Sequence, residues 1–314
     1  MQPYSWTNSR QPVISACLDA PVLRRASVEK RCETAMVDIL SAPQQTKSAT
    51  ALRTLVLIST AHWVSHFHLM VLPMLFPFLK TQLGVGYIEL GFALTVFAVV
   101  SGMTQAPMGY LADHVGARKV LLIGLTVGGL ALIMLGLNLS YPWLIASAVL
   151  LGLANSVYHP ADYAILSAHM DEARIGRAFS IHTFAGFLGG AVAPAIVAAL
   201  VTFAGSHGAL ILAGAVGPLV ALLLIGVPDA SAADRKVAGM HSPKQSIVTP
   251  TLMVLTAFFM LLALSNAGIA NFGVVALMNG YGESFSSANI ALTAYLGLSA
   301  IGVLAGGLLA DRTQ

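Results

Sequence analysis

Long stretches without a charged residue constrain this chain more than any other feature of its sequence. Six such stretches occur, at residues 54–79, 90–112, 120–161, 178–228, 245–282 and 284–310. About 20 helical residues cross the roughly 30 Å hydrocarbon layer of a bilayer, so each stretch is long enough to span it. Only 9% of the residues are charged, against about 25% in soluble domains. The sequence therefore predicts an all-α polytopic membrane protein.

The longest stretches exceed one span and must be divided where Gly, Pro and polar residues cluster. Such clusters occur at residues 138–142 and 204–208. The division predicts eight spans, at residues 54–79, 87–112, 120–139, 142–167, 178–204, 208–227, 250–278 and 286–310.

The distribution of Lys and Arg predicts the orientation, because cytoplasmic loops retain positive charge during insertion. Beyond residue 35, ten Lys and Arg residues fall on the side of the N-terminus and only Lys80 falls on the other. We therefore expect both termini in the cytoplasm, in a multi-pass protein of the inner (plasma) membrane. The expected organisation is a polar cytoplasmic tail (1–53), a six-helix bundle (54–227), a cytoplasmic linker (228–249) and two helices of a second bundle (250–314).

Several classes of function have no support in the sequence. The net charge of +3 does not indicate a nucleic-acid partner, because in a membrane protein the positions of Lys and Arg reflect its topology. Both cysteines, Cys17 and Cys32, lie in the polar tail. The chain has no Gly-x-Ser-x-Gly, no His-Glu-x-x-His, no paired membrane aspartates and no P-loop. We therefore expect no enzyme activity, no metal and no cofactor.

A short motif occurs twice in the chain. Gly109-Tyr-Leu-Ala-Asp113 follows the second predicted span, and Gly307-Leu-Leu-Ala-Asp311 ends the eighth. Basic residues follow both copies: Arg118 and Lys119 after the first, beyond Gly116, and Arg312 after the second. An internal repeat in a membrane protein indicates a transporter built from two related bundles.

The first copy of the motif resembles the signature loop of the major facilitator superfamily, with His114 and Ala117 as departures. The stretches 152–160 and 186–194 resemble the fosmidomycin-resistance branch of that superfamily. Two features of the proton antiporters are missing: the arginine of span four falls at Ala148, and Ala193 precedes the proline of span five.

The resemblance implies alternating access, with Asp113 as a gating residue that pairs with neighbouring positive charge and helix termini. The whole repeated motif belongs to this gating assignment: Gly109, Asp113, Gly116, Arg118, Lys119, Gly307, Asp311 and Arg312. Members of the superfamily have twelve spans. We therefore expect the chain to be truncated after about its eighth helix, and Met36 to be an alternative start.

Ionisable residues at membrane depth are expensive and are therefore candidates for the substrate and proton pathway. His62 and His66 lie four residues apart on one face of the first span, whereas His68 points elsewhere. The resemblance places His66 where the family has a carboxylate. Neutral histidines bonded to neighbouring helices are the alternative for this span.

The fourth span carries Asn155, His159, Asp162 and Tyr163 on one predicted stripe. Asp162 is either a proton or substrate group in a polar cavity wall or an interfacial residue on the cytoplasmic side. Tyr158 in this span and His182 in the fifth complete the predicted pathway, and Gly186 is expected to serve close helix packing.

These residues together predict secondary active transport of a small organic molecule, coupled to protons, with efflux favoured. The partners we expect are the substrate, protons and the lipid bilayer, and the protein is expected to be a monomer. Three alternatives stay open: a proton-coupled uptake symporter, an inactive or regulatory fragment, and a redox protein that holds haem between histidines.

Overall fold

In the computed structural model, residues 25–171, 174–227, 229 and 249–310 are described. The chain divides into two units, Met1–Arg53 and Thr54–Gln314, and the account below concerns the second. The described residues of this unit contain helices and no strand, which confirms the predicted fold class. The predicted linker lies almost entirely outside the described residues, with Asp229 as the described member at its start.

Seven helices in the described residues are long and apolar enough to cross a membrane. We number them in chain order: α1 Arg25–Leu83, α2 Tyr87–Val115, α3 Ala117–Leu137, α4 Tyr141–His169, α5 Ile175–Leu224, α6 Pro250–Tyr281 and α7 Phe285–Ala310. Their ends fall within a few residues of most predicted spans, because charged and turn-forming residues separate the apolar stretches.

Two bounds differ from the sequence-based prediction. Helix α1 begins at Arg25, so part of the predicted polar tail is helical. The predicted fifth and sixth spans follow each other without an intervening loop, so that α5 consists of two helical segments that meet at a kink. The kink is at Gly205, whose φ of 68° and ψ of 179° are not helical and fall within the predicted break. The segments on either side, 175–204 and 206–224, still correspond to the two predicted spans.

Close packing between helices depends on glycine. A Cβ atom on Gly129 of α3 would collide with the carbonyl oxygen of Gly214 in α5, and a Cβ atom on Gly217 would collide with that of Leu125. Backbones can approach this closely only where a side chain is missing, which is a common packing device in membranes. The second segment of α5 is thereby held directly against α3.

Hydrogen bonds from polar side chains also join helices α1, α3, α4 and α5. Ser147 of α4 donates to the carbonyl of Ala131 in α3 at 2.8 Å, and His207 of α5 contacts the carbonyl of Gly136 through Nδ1 at 2.9 Å. His68 of α1 donates from Nε2 to the carbonyl of Ala213 in α5 at 3.0 Å. Each such bond contributes about 0.6–2 kcal/mol to helix association. His68 is therefore a structural contact, as expected from its separate helix face.

Helices α6 and α7 pack on the bundle near the end of α1. Phe76 stacks obliquely on Phe272, with ring centroids 5.7 Å apart, and Phe78 meets Phe285 edge-to-face at 4.9 Å. Helix α7 also packs along α5. Residues 249–269, by contrast, are exposed along their whole length.

The bend in α5 generates a test of the fold. With positive φ and extended ψ, Gly205 occupies a backbone region that only glycine adopts readily, and no atom blocks a Cβ there. We expect Gly205→Ala to destabilise the protein by about 1–3 kcal/mol through backbone strain alone. Thermal unfolding in detergent measures this effect. Gly176→Ala is the matched control, because its Cβ also meets open space but its φ is not positive; equal unfolding temperatures for the two variants would contradict the strained bend.

Candidate functional site

Three helices bring five ionisable side chains into one cluster, which we call the histidine–aspartate cluster. Its members are His62 and His66 of α1, His159 and Asp162 of α4, and His182 of α5. All five belong to the predicted pathway. The helix spacing placed His62 with His66 and His159 with Asp162, and the fold joins these two pairs through His182.

Asp162 lies at the centre of the cluster and is fully buried, with 0% exposure. Its Oδ2 atom is 3.5 Å from His62 Nδ1 and 3.6 Å from His182 Nε2. Both distances exceed the usual 2.7–3.2 Å of a hydrogen bond. Neither carboxylate oxygen has a hydrogen-bond partner among the described residues. Asp162 is therefore enclosed by the protein, among the side chains of α1, α4 and α5.

The histidine rings pack around His62. Its ring stacks on His182 with centroids 4.1 Å apart, and it meets His66 and His159 at 4.7 and 5.2 Å in edge-on contacts. His62 and His182 are buried, whereas His66 and His159 are only partly buried. The cluster thus has a closed side at Asp162 and a more accessible side at His66 and His159.

No lysine or arginine lies in the apolar stretches that surround Asp162. The sequence contains neither residue at 54–79, 120–173 or 178–234. Burial of an unpaired carboxylate costs several kcal/mol, so the counter-charge for an ionised Asp162 has to come from a protonated histidine of the cluster.

Gly186 makes room for the cluster. A Cβ atom at this position would lie 2.5 Å from the Cδ2 and Nε2 atoms of His62 and 3.0 Å from Cδ2 of His66. One turn further, a Cβ on Gly189 would collide with the carbonyl oxygen of Trp63. Gly186 therefore packs closely in a specific way, because its missing side chain allows the imidazoles of α1 to lie against α5.

The other predicted pathway residues of α4 lie elsewhere. Asn155 donates from Nδ2 to Ser101 Oγ of α2 at 2.8 Å. Tyr158 is buried and lines a small internal cavity together with Ser65, His68 and Asn155. The predicted stripe on α4 is therefore divided: its first turn faces α2 and this cavity, and its second joins the histidine–aspartate cluster. Tyr163, at the end of the stripe, is 44% exposed with its ring beside Phe179.

The first copy of the repeated motif lies at the junction of α2 and α3. Gly109 packs near Pro160 of α4, and Gly116, with a φ of 114°, ends α2 and precedes α3. Arg118 donates from Nη1 to the carbonyls of Ile225 and Val227 at 2.8 and 2.9 Å, just beyond the end of α5. A cation at this point is favourable because the helix C-terminus carries partial negative charge.

Asp229 completes this junction, and the sequence analysis missed it. Its Oδ1 accepts a hydrogen bond from the backbone N–H of Arg118 at 3.1 Å, at the positively polarised start of α3. A Cβ on Gly116 would collide with its Oδ2. Asp229, which follows α5, thus accepts a hydrogen bond at the start of α3. Arg118 of α3 in turn donates to carbonyls beyond the end of α5. The sequence signal for this role is an acid that directly follows a predicted span, within the stretch predicted as a linker.

The remaining motif residues do not share this contact. Asp113 and Lys119 are exposed, and within the described residues the carboxylate of Asp113 has no ion pair. In this structure the carboxylate that contacts the start of α3 is that of Asp229. Gly307 lies in α7, whereas Asp311 and Arg312 lie outside the described residues.

Comparison with known families agrees with this architecture. The family model of the Major Facilitator Superfamily matches residues 58–314. The chain therefore belongs to the Major Facilitator Superfamily, which confirms the resemblance seen in the motif at Gly109. It is a multi-pass membrane protein of a transporter family.

Two curated proteins are similar over most of this chain. The fosmidomycin resistance protein of Escherichia coli (strain K12) is 24% identical over 285 residues, which cover 87% of this chain and 68% of that protein. The MFS-type transporter YfnC of Bacillus subtilis (strain 168) is 27% identical over 278 residues, covering 85% of this chain and 68% of that protein.

Among solved structures, the fold is similar to a bacterial homologue of the human lysosomal transporter Spinster, in an inward-facing and occupied conformation. The TM-score is 0.65 at 19% identity, and the match covers 82% of this chain but 61% of that structure. This similarity shows the shared fold. The present chain spans less than two thirds of the length of that transporter.

The site geometry predicts that Gly186→Ala is harmful. The added methyl group lies where the His62 ring is, so α1 and α5 have to separate or His62 has to move, at a cost of about 1–3 kcal/mol. Thermal unfolding in detergent measures the loss. Gly190→Ala is the control on the same face of the same helix, because its Cβ would meet nothing within 4 Å. A Gly186→Ala variant as stable as Gly190→Ala would show that the cluster is not packed against α5.

The junction at Arg118 generates a second prediction. Arg118→Ala removes two charge-assisted hydrogen bonds to the carbonyls beyond α5, and we expect a loss of about 1–3 kcal/mol in unfolding free energy. Chemical unfolding followed by circular dichroism provides the measurement. The adjacent exposed residue supplies the control, since Lys119→Ala is expected to change stability by less than about 0.5 kcal/mol. Equal effects for the two variants would contradict the assigned contact.

Proposed function

We propose that this protein is a secondary active transporter that moves a small organic molecule by alternating access, coupled to protons, in the direction of efflux. The observation that carries the proposal is the full burial of Asp162 between His62 and His182, in apolar stretches (54–79, 120–173 and 178–234) that contain no lysine or arginine. Membership of the superfamily supports transport as such, and the cluster supports the coupling to protons.

The electrostatics of the cluster favour a proton-binding role. An ionised Asp162 without a protonated neighbour is an unbalanced charge in an apolar interior, which is costly in free energy. A protonated histidine beside a neutral Asp162 is equally unbalanced. The arrangements of low energy therefore contain either a neutral carboxyl group among neutral imidazoles or an aspartate–imidazolium pair. Both arrangements hold one exchangeable proton, either on Asp162 or on an imidazole. Loss of that proton leaves an unbalanced carboxylate, which is costly while the site is closed. A movement that opens His66 and His159 to water solvates the carboxylate and thereby allows the proton to leave.

The cluster also connects three helices that have to move in alternating access. Its members come from α1, α4 and α5, so gain or loss of charge at Asp162 changes the free energy of the contact among all three. A substrate that enters beside His66 and His159 would meet the same groups. Coupling then follows, because proton and substrate both act on the packing of one set of helices.

The direction and topology rest on separate observations. One relative is a fosmidomycin resistance protein, and resistance is consistent with export of a drug. The excess of Lys and Arg on one side of the spans supports a cytoplasmic location for both ends of the chain and for the junction of Arg118 with Asp229. That junction would act as the cytoplasmic gate, joining α3 to the end of α5 in one state and separating in the other. The transporter is proposed to act as a monomer.

A flux measurement tests this function. The 314-residue chain is expressed in inverted membrane vesicles, and proton movement is followed with a pH-sensitive dye on addition of fosmidomycin, other drugs and organic acids. We expect a compound-dependent proton flux that Asp162→Asn reduces at least about tenfold, because asparagine keeps the shape of the side chain but cannot exchange a proton.

The control for this measurement is Asp171→Asn. Asp171 is exposed just beyond α4, so its neutralisation changes the charge of the chain without touching the cluster. This variant is expected to keep the flux of the parent. A proton response of parental size in Asp162→Asn would contradict the assigned site, and a parent chain that moves no protons with any compound would contradict proton coupling.

A further inference from the structure

The three central side chains of the cluster are arranged as metal ligands. One ligand atom from each of His62, Asp162 and His182 lies within 4.8 Å of the other two. The sequence does not show this set, because the three residues lie on α1, α4 and α5 and form no short motif of metal-ligand spacing. We propose that these residues form a binding site for one divalent transition-metal ion of the zinc type.

The distances fit coordination better than they fit direct hydrogen bonding. Zn²⁺ bonds to imidazole nitrogen and carboxylate oxygen are about 2.0–2.2 Å long, so two ligands of a tetrahedral ion lie about 3.3–3.5 Å apart. The Asp162 Oδ2 atom is 3.5 Å from His62 Nδ1 and 3.6 Å from His182 Nε2. These separations are too long for a good hydrogen bond and close to those of neighbouring ligands of one ion.

The ligand atoms are also without other partners. His62 Nδ1, both oxygens of Asp162 and both ring nitrogens of His182 are buried and form no hydrogen bond in the described part of the chain. His62 is 3% exposed, and the other two side chains are 0% exposed. Buried polar atoms in native proteins are nearly always satisfied, and a bound cation would satisfy one atom of each residue at once.

The ligand chemistry selects the class of ion. Imidazole nitrogen together with one carboxylate suits Zn²⁺ and the neighbouring divalent ions Co²⁺ and Ni²⁺, whereas Mg²⁺ and Ca²⁺ prefer oxygen ligands only. Three protein ligands leave a fourth position of a tetrahedral ion open. The rings of His66 and His159 lie beside His62 on the partly exposed side, where a fourth ligand or water would enter.

Metal binding at this site does not depend on the transport function, because it is an equilibrium property of the resting protein. It can hold even if the substrate or the coupling ion is different, and it can fail while transport persists. Protons compete with the metal for the same three side chains, so binding has to be compared at one fixed pH.

The test uses Co²⁺ alone as a spectroscopic probe and Zn²⁺ alone as the competitor. The purified 314-residue chain carries Cys17→Ser and Cys32→Ser, so that no thiolate contributes to binding. We expect one equivalent of Co²⁺ to give the visible absorption of a tetrahedral site, and Zn²⁺ to remove it. His62→Gln and His182→Gln are each expected to weaken Co²⁺ binding at least about tenfold.

His114→Gln is the matched control, because His114 is exposed at the end of α2 and would contribute only to surface binding of metal. It should leave the titration unchanged. A second readout covers a variant that fails to fold: Zn²⁺ at a hundredfold excess over its dissociation constant should raise the unfolding temperature of the parent chain. Absence of both saturable Co²⁺ binding and Zn²⁺ stabilisation in the parent would overturn the proposal, as would parental affinity in His62→Gln and His182→Gln.

Discussion

The burial of one carboxylate in an apolar interior is the constraint on which the rest of this structure depends. Asp162 has 0% exposure, and the surrounding spans contain no lysine or arginine. Its negative charge can therefore be balanced only by an exchangeable positive charge, which is either a proton on a neighbouring imidazole or a bound cation. His62 and His182, whose ring nitrogens lie 3.5 and 3.6 Å from Oδ2 of Asp162, are the side chains placed to carry such a proton or to share such a cation.

Glycine provides the space that this arrangement needs. Gly186 permits the His62 ring to lie against α5, and Gly129 opposite Gly214 brings α3 against the other segment of the same helix. These two contacts come from the two segments of α5 that meet at the kink at Gly205. Beyond the end of α5, Arg118 of α3 donates to the carbonyl of Ile225, and Asp229 accepts from the backbone N–H of Arg118. The glycine packing, the polar cluster and the junction thus all involve α5 or the residues that follow it.

The sequence was sufficient for the fold class because charge and apolar length determine where a chain can cross a membrane. It also located the kink near Gly205, although it could not show that the two helices meet there without a loop. For the site, spacing of four residues correctly put His62 with His66, but spacing along one helix contains no information about its neighbours. The meeting of Asp162 with His182, the separate environment of Asn155 and the role of Asp229 depend on tertiary packing, and for that reason they appeared only in the structure.

The central claim is that Asp162 exchanges a proton within the histidine–aspartate cluster, and infrared difference spectroscopy tests it most directly. The chain is placed in lipid nanodiscs without added metal, and the carboxyl bands are recorded as the pH is stepped. The account predicts a carboxyl band that responds to pH, disappears in Asp162→Asn and shifts in His182→Gln. A spectrum of Asp162→Asn identical to that of the parent, at every pH, would contradict it.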